Sequence, residues 1–161
     1  MFVFDTSAYL NGWNDHYPPK TFGGVWDVVR EATRDGRVIT VREVYREILD
    51  QDDSVASWAK VELKAMVVEP SEAVQRDAGA IAAMFPQPGV RNEADPFVLA
   101  EARTRGFAVV TYEGRSFSGP PHKKWWRTMP SVCNHLQIPC CTLPEAFAEL
   151  GVSFPGTSAG G

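Results

Sequence analysis

The stretch that most constrains the fold is the first seven residues, Met1-Phe-Val-Phe-Asp-Thr-Ser7. Phe2, Val3 and Phe4 form an unbroken apolar run, which predicts a strand covered on both faces, as in a parallel sheet. Asp5 falls where that strand ends and is followed by two hydroxyl side chains. Ligands of open α/β sheets bind at the carboxyl ends of the strands, so Asp5 is a candidate site residue. A turn cap is the structural alternative, because Asp, Thr and Ser all favour turns. Carboxylates at the ends of other strands would decide between the two.

The remaining pattern alternates helix and strand. An aromatic-dense loop or short helical turn, Ala8 to Pro19, precedes a helix over about Phe22 to Thr33, which Thr21 can cap and which carries Phe22, Val25, Trp26, Val29 and Ala32 at helical spacing. Arg37 to Thr40 reads as a second strand and Val41 to Leu49 as a helix, with Glu43 and Glu47 four apart and hence on one face. Ser54 can cap a helix running to about Met66, and another covers roughly Glu72 to Met84. Glu93-Ala-Asp95-Pro96 opens a helix to about Arg105, Phe107 to Thr111 is a third strand, and Gly114 to Arg127 has the period of neither. A short helix over Met129 to Leu136, a fourth strand over Pro139 to Thr142 and a last helix over Pro144 to Leu150 complete the series. Strands alternating with helices indicate the α/β class with a mostly parallel sheet.

Length and composition bound the function. At 161 residues, 44% hydrophobic and 22% charged, the chain reads as one globular domain over residues 1–154 with a flexible tail over 155–161. No apolar run approaches a membrane span and no basic segment leads into a signal-peptide core, so a cytoplasmic protein without membrane contact is expected. A net charge of −4 excludes coating nucleic acid by bulk electrostatics, although clustered carboxylates that hold cations contribute to such a balance. Cys133, Cys140 and Cys141 are an odd number in one region and match no paired zinc spacing, which favours reduced, buried thiols.

Acidic residues recur at corresponding places: Asp5 after strand one, Glu43 or Glu47 in the helix after strand two, Asp95 before the helix leading to strand three, and Glu113 after strand three. Gathered carboxylates repel unless cations neutralise them, and oxygen-only ligation suits Mg²⁺ or Mn²⁺. Asp5-Thr6-Ser7 after an apolar strand, Glu47-Ile48, Asp95 before an Ala/Leu-type helix and Val110-Thr111-x-Glu113 together resemble the motifs of PIN-domain ribonucleases. Tyr17-Pro-Pro19, Phe22, Trp26, Glu43-Val-Tyr-x-Glu47 and Pro130-x-Val-Cys133 resemble an uncharacterised branch of PIN-like proteins, over roughly residues 1 to 150.

The resemblance implies a three-layer α/β/α sandwich with a central sheet of four or five strands. It implies that Asp5, Glu47, Asp95 and Glu113 are catalytic and hold one or two Mg²⁺ or Mn²⁺ ions, with Glu43 as the fallback for Glu47 and with Thr6, Ser7 and Thr111 in support. It further implies an endoribonuclease acting on RNA, the toxin of a type II toxin–antitoxin pair, a protein antitoxin and a homodimer. Ser7 stands where many PIN domains have Asn, and Glu113 where the last acid is often Asp. The alternative is a non-catalytic PIN-like module that binds RNA or protein. Haloacid dehalogenase-type phosphatases and receiver domains also place Asp after strand one, but the second Asp of the former is here Ser7, and the acidic pair and late Lys of the latter are absent.

Individual residues keep structural alternatives. Asp95-Pro96 is a good cap and first-turn pair. Glu43 and Glu47 adjoin Arg42 and Arg46 and would suit a solvated face, and Glu113 can pair with Arg115. Tyr17, Phe22 and Trp26 read as core. His122-Lys-Lys-Trp-Trp-Arg127 interleaves cations with aromatics, so Lys123, Lys124 and Arg127 are candidate nucleic-acid contacts, against an ordinary loop whose Trp residues plug the core.

Overall fold

In the computed structural model, which describes residues 1–85, 93–112 and 128–153, Phe2–Phe4 is strand β1 and every residue of it is buried. It lies inside a four-stranded sheet ordered β2-β1-β3-β4, with β2 at Val38–Ile39, β3 at Ala108–Thr111 and β4 at Cys140–Thr142. All pairings are parallel, in the register Val3 with Ile39, Phe4 with Val110 and Val110 with Cys141. Beyond β2, Val41 makes a single parallel bridge to Val68. The apolar run at the amino terminus is therefore a central strand, which is why it carries no polar face.

The connections fix the layers. The chain leaves β1 for one edge through α1 (Thr6–Asn11) and α2 (Pro19–Arg34). It then crosses back to the far side of β1 through α3 (Arg42–Leu49), α4 (Ser54–Glu62), α5 (Glu72–Met84) and α6 (Asp95–Arg105), and goes on through α7 (Met129–Leu136) to β4 and α8 (Leu143–Leu150). Right-handed crossovers in opposite directions put helices on opposite faces. Accordingly α2 packs on β2 and α8, whereas α6 packs on α5, β1 and β3.

Several boundaries differ from the sequence pattern for identifiable reasons. Of the loop and the short helical turn expected from Ala8, the helical alternative holds: α1 runs directly into a π-helical turn, Gly12–His16, closed by the Tyr17 N–H donating to the Gly12 carbonyl at 2.7 Å. That turn lies against the core, where a Cβ on Gly12 would meet Leu143 Cδ2 at 2.7 Å and Trp26 Cη2 at 3.1 Å. The helix expected over Phe22 to Thr33, with Thr21 as its cap, begins at Pro19 and is kinked at Phe22 (φ −123°, ψ 33°), so the apolar stripe marked the kink and not the start. Asp53, not Ser54, caps α4, accepting from the N–H groups of Val55 and Ala56; the Ser54 hydroxyl instead accepts the Trp13 Nε1–H at 2.9 Å. Likewise Ala94 occupies the cap position of α6 and Asp95 its first turn.

An aromatic cluster forms the core on the α2 face. Trp26 packs against Trp13 (ring centroids 5.1 Å apart), Trp58 (5.7 Å) and Phe147 (6.4 Å), and Tyr9 joins at 6.5 Å. The polar edges are satisfied: Trp26 Nε1–H donates to the Tyr17 carbonyl at 2.7 Å, and the Tyr9 and Thr40 hydroxyls bond at 2.6 Å. Trp26 thus belongs to the core as expected, while Tyr17 and Phe22 pack on it half-buried.

Candidate active site

The site follows from how the strand ends align. Pairing of Phe4 with Val110, and the Asp5 N–H donating to the Val110 carbonyl at 2.9 Å, carry Asp5 next to Thr111. This is the point where the chain, having left β1 for one edge, returns to the other, and such switch points open the ligand crevice of α/β sheets. Asp5 is only 4% exposed. Its Oδ1 accepts the Thr6 N–H at 2.7 Å, and its Oδ2 accepts the hydroxyls of Ser7 at 2.7 Å and Thr111 at 3.2 Å. The Ser7 hydroxyl in turn accepts the Tyr112 N–H at 3.0 Å. Asp5 caps α1 and is at the same time a buried carboxylate at the sheet edge, so the two roles weighed from sequence coexist. Burial pushes its carboxyl above the usual range, and the bonds from Ser7, Thr6 and Thr111 pull the other way.

Glu47 reaches the same place from α3. Its Oε2 accepts the Thr6 hydroxyl and its Oε1 accepts the Ala94 N–H at 3.2 Å. Thr6 therefore holds both acids, Asp5 through its N–H and Glu47 through its hydroxyl. Half-burial pushes the Glu47 carboxyl up, and the charges of Asp5 and Glu93 add to this against the Thr6 and Ala94 bonds. Because Ala94 immediately precedes α6, the Glu47 bond also fixes the start of that helix, and with it Asp95. Asp95 is half-buried on the wall of a small apolar crevice shared with Ile81, Phe85, Leu99, Met129 and Val132.

Glu43 lies on the same helix but keeps different company. It is 7% exposed, and its Oε1 accepts from Nε and Nη2 of Arg42 at 3.0 and 2.7 Å. Arg42 also bonds Glu69 at 2.6 Å, and the Glu43 Oε2 is buried without a hydrogen-bond partner. Neither acid sits on the freely solvated face that the neighbouring arginines would suit. Glu113, Lys123, Lys124 and Arg127 lie outside the described residues.

The donors at Asp5, Glu47 and Asp95 are all oxygens, the set a hard divalent cation takes. The charge pressure between Asp5 and Glu47 is what such an ion would relieve. Among the described residues no group of three or more His, Cys, Asp or Glu is arranged to hold a metal, so Asp5 and Glu47 meet through Thr6 but Asp5, Glu47 and Asp95 do not by themselves form a three-residue cluster. Thiolate ligation does not fit: Cys133 is buried, and its bond to Cys140, its burial and the charges of Asp5 and Asp95 all push the thiol up.

Two features had no signal in the sequence. Cys133 stands within electrostatic reach of both Asp5 and Asp95. His16 and Tyr112, 96 positions apart in the chain, stack with ring centroids at 4.5 Å. Long-range pairings of this kind arise only from the sheet topology.

Comparison with solved structures places the architecture. A chain of VapBC2 from Rickettsia felis, solved bound to a DNA fragment from their promoter, matches 88% of this chain and 97% of its own length with a TM-score of 0.50 at 12% identity. That likeness concerns the fold, and the four-stranded parallel sheet between helical layers is the PIN-like α/β/α architecture. Comparison with curated proteins finds no match by sequence. The family described as "Domain of unknown function (DUF4411)" matches residues 2–154, nearly the whole chain, and the protein belongs to that family.

Proposed function

We propose that the protein is a metal-dependent endoribonuclease, and that it serves as the toxin of a type II toxin–antitoxin pair. The observation that carries the reading is the buried Asp5 carboxylate at the β1/β3 switch point, tied through Thr6 to Glu47 and through Glu47 and Ala94 to the start of α6. A fold that only needed a helix cap would have no reason to bring a half-buried Glu47 carboxyl beside the buried Asp5 carboxyl that repels it. Asp5, Glu47 and Asp95, with Glu113, would hold one or two Mg²⁺ or Mn²⁺ ions. Such an ion supplies a water of lowered pKa and neutralises the leaving oxygen of a phosphodiester. Thr6, Ser7 and Thr111 orient the acids and set their basicity by hydrogen bonding. A protein antitoxin covering the acidic edge, and a homodimeric toxin, complete the proposal; the likeness to a VapBC2 chain supports it at the level of the fold.

Cleavage of a mixed RNA with Mn²⁺ by the purified protein, compared with Asp5→Asn, tests the activity. Cleavage by the parent and not by the variant is expected; equal cleavage by both would assign it to a contaminant. The second reading, a non-catalytic PIN-like module that binds RNA or protein, is favoured by one observation. Both oxygens of Asp5 already accept hydrogen bonds within the protein.

Thr111→Val gives a finer test of the hydroxyl cage. The substitution keeps the shape and removes a donor that lowers the Asp5 pKa, so the Asp5 carboxyl rises further. The acid limb of the pH–rate profile for RNA cleavage should move to higher pH, with a loss on the order of tenfold below neutrality and little change well above it. A uniform loss at every pH would show that Thr111 acts on something other than Asp5 basicity.

A further inference from the structure

The sheet edge that carries the acids also carries an aromatic pair that the catalytic reading does not use. Tyr112 directly follows β3 and is 39% exposed, and its ring stacks on the exposed His16 at 4.5 Å with an interplanar angle of 28°. Because both residues are exposed, the stack leaves ring area available to a further flat partner.

The pair is built into the molecule. His16 is the last residue of the π-helical turn Gly12–His16, a rare geometry that concentrates at functional sites. The turn can lie on the core because residue 12 has no Cβ to strike Leu143 and Trp26. Adding a residue to the turn rotates everything after it relative to a continued α-helix, and His16 is thereby brought over Tyr112. On the other side the Tyr112 N–H donates to the Ser7 hydroxyl at 3.0 Å, and the same hydroxyl donates to Asp5 Oδ2 at 2.7 Å. One serine thus separates the stack from the central acid.

We propose that His16 and Tyr112 form a stacking platform for an unpaired base of single-stranded RNA, adjoining the phosphodiester presented to the acids. The inference rests on the ribonuclease reading and deepens it by naming how the substrate is held. A protein with a net charge of −4 gains little from the phosphate backbone over its whole surface. Base stacking supplies affinity that needs no positive charge, and it is open only to nucleotides that are not paired in a duplex. The platform therefore selects loops and single strands and places the flanking phosphate at the carboxyl edge of β1 and β3.

Binding can be read apart from cleavage. In an Asp5→Asn background, a short single-stranded RNA carrying one 2-aminopurine is titrated and its fluorescence followed. Quenching on binding is expected, together with a loss of affinity of about tenfold to a hundredfold in His16→Ala/Tyr112→Leu and near-parent affinity in Tyr112→Phe. An RNA with an abasic position in place of 2-aminopurine should lose affinity for the parent surface and lose nothing further on Tyr112→Leu. Unchanged affinity in the Leu variant, or equal binding of the abasic RNA, would overturn the platform, and would leave the exposed pair to a protein partner. The failures are distinguishable: stacking-dependent binding without Mn²⁺-dependent cleavage removes the nuclease reading, and cleavage whose KM ignores Tyr112→Leu removes the platform alone.

Discussion

Asp5→Asn should abolish metal-dependent RNA cleavage, by about a thousandfold or more, and at the same time make the metal-free protein more stable at neutral pH. The loss follows if Asp5 is the acid on which the cation depends, since charge stabilisation by a bound metal is worth several kcal/mol and each ~1.4 kcal/mol is about tenfold in rate. The gain follows from linkage. The folded-state pKa values of Asp5 and Glu47 are raised above their ordinary values. Stability contributed by such groups is fully present below the unfolded carboxylate pKa and is lost as pH rises through the folded value. Metal-free parent protein should therefore lose thermal stability as pH is raised from about 4 towards neutrality, and Mn²⁺ should restore it. Asn in place of Asp5 keeps an acceptor for the Thr6 N–H, and the Ser7 and Thr111 hydroxyls can turn to accept its amide. Its melting temperature should rise at pH 7 and vary less with pH. Thermal melts of the two proteins across this range, with and without Mn²⁺, check both signs.

Trp26→Ala should be the most damaging single substitution in the core. Trp26 is 2% exposed and contacts Trp13, Trp58, Tyr9 and Phe147, with its indole N–H bonded to the Tyr17 carbonyl. Truncation leaves a large void between α2, the π-helical turn and α8, and it removes the indole N–H that bonds that carbonyl. A loss of about 3–5 kcal/mol is expected, a large share of the stability of an ordinary domain. Urea unfolding should show the midpoint falling steeply with little change in slope. The π-helical turn rests on Trp26, so His16 should also leave Tyr112, and affinity for single-stranded RNA should drop with stability. An unfolding midpoint within error of the parent would mean that the aromatic cluster is not the keystone of this face.

The parts of the fold set by local pattern were legible in the sequence. Phe2 to Phe4 could only be a doubly covered strand, and α5 and α7 end where their apolar spacing ends. The α/β class and the parallel sheet followed from the alternation. Illegible were the places where tertiary contacts override a local signal. Ser54 looked like a cap, but its hydroxyl is taken by Trp13 and Asp53 does the capping. The aromatic density after Ala8 left a loop and a short helical turn equally open, and the π-helical form depends on Gly12 fitting under Leu143 and Trp26. The site divides in the same way. Asp5 was marked by its position at a strand end, and Glu43 and Glu47 were indistinguishable by helical period. Only the fold brings Thr6 and Ala94 to Glu47 and Arg42 to Glu43. The stack of His16 on Tyr112 joins residues 96 positions apart and left no trace at either.

The proposal stands or falls on whether Asp5 and Asp95, with Glu47, take up a divalent cation at the carboxyl edge of β1 and β3. A crystal soaked in Mn²⁺ and measured for anomalous scattering tests it most directly. A peak is expected at coordination distance, on the order of 2.1 Å, from the carboxylates of Asp5 and Asp95. A solvent-open cleft with no anomalous density at high Mn²⁺ would contradict it.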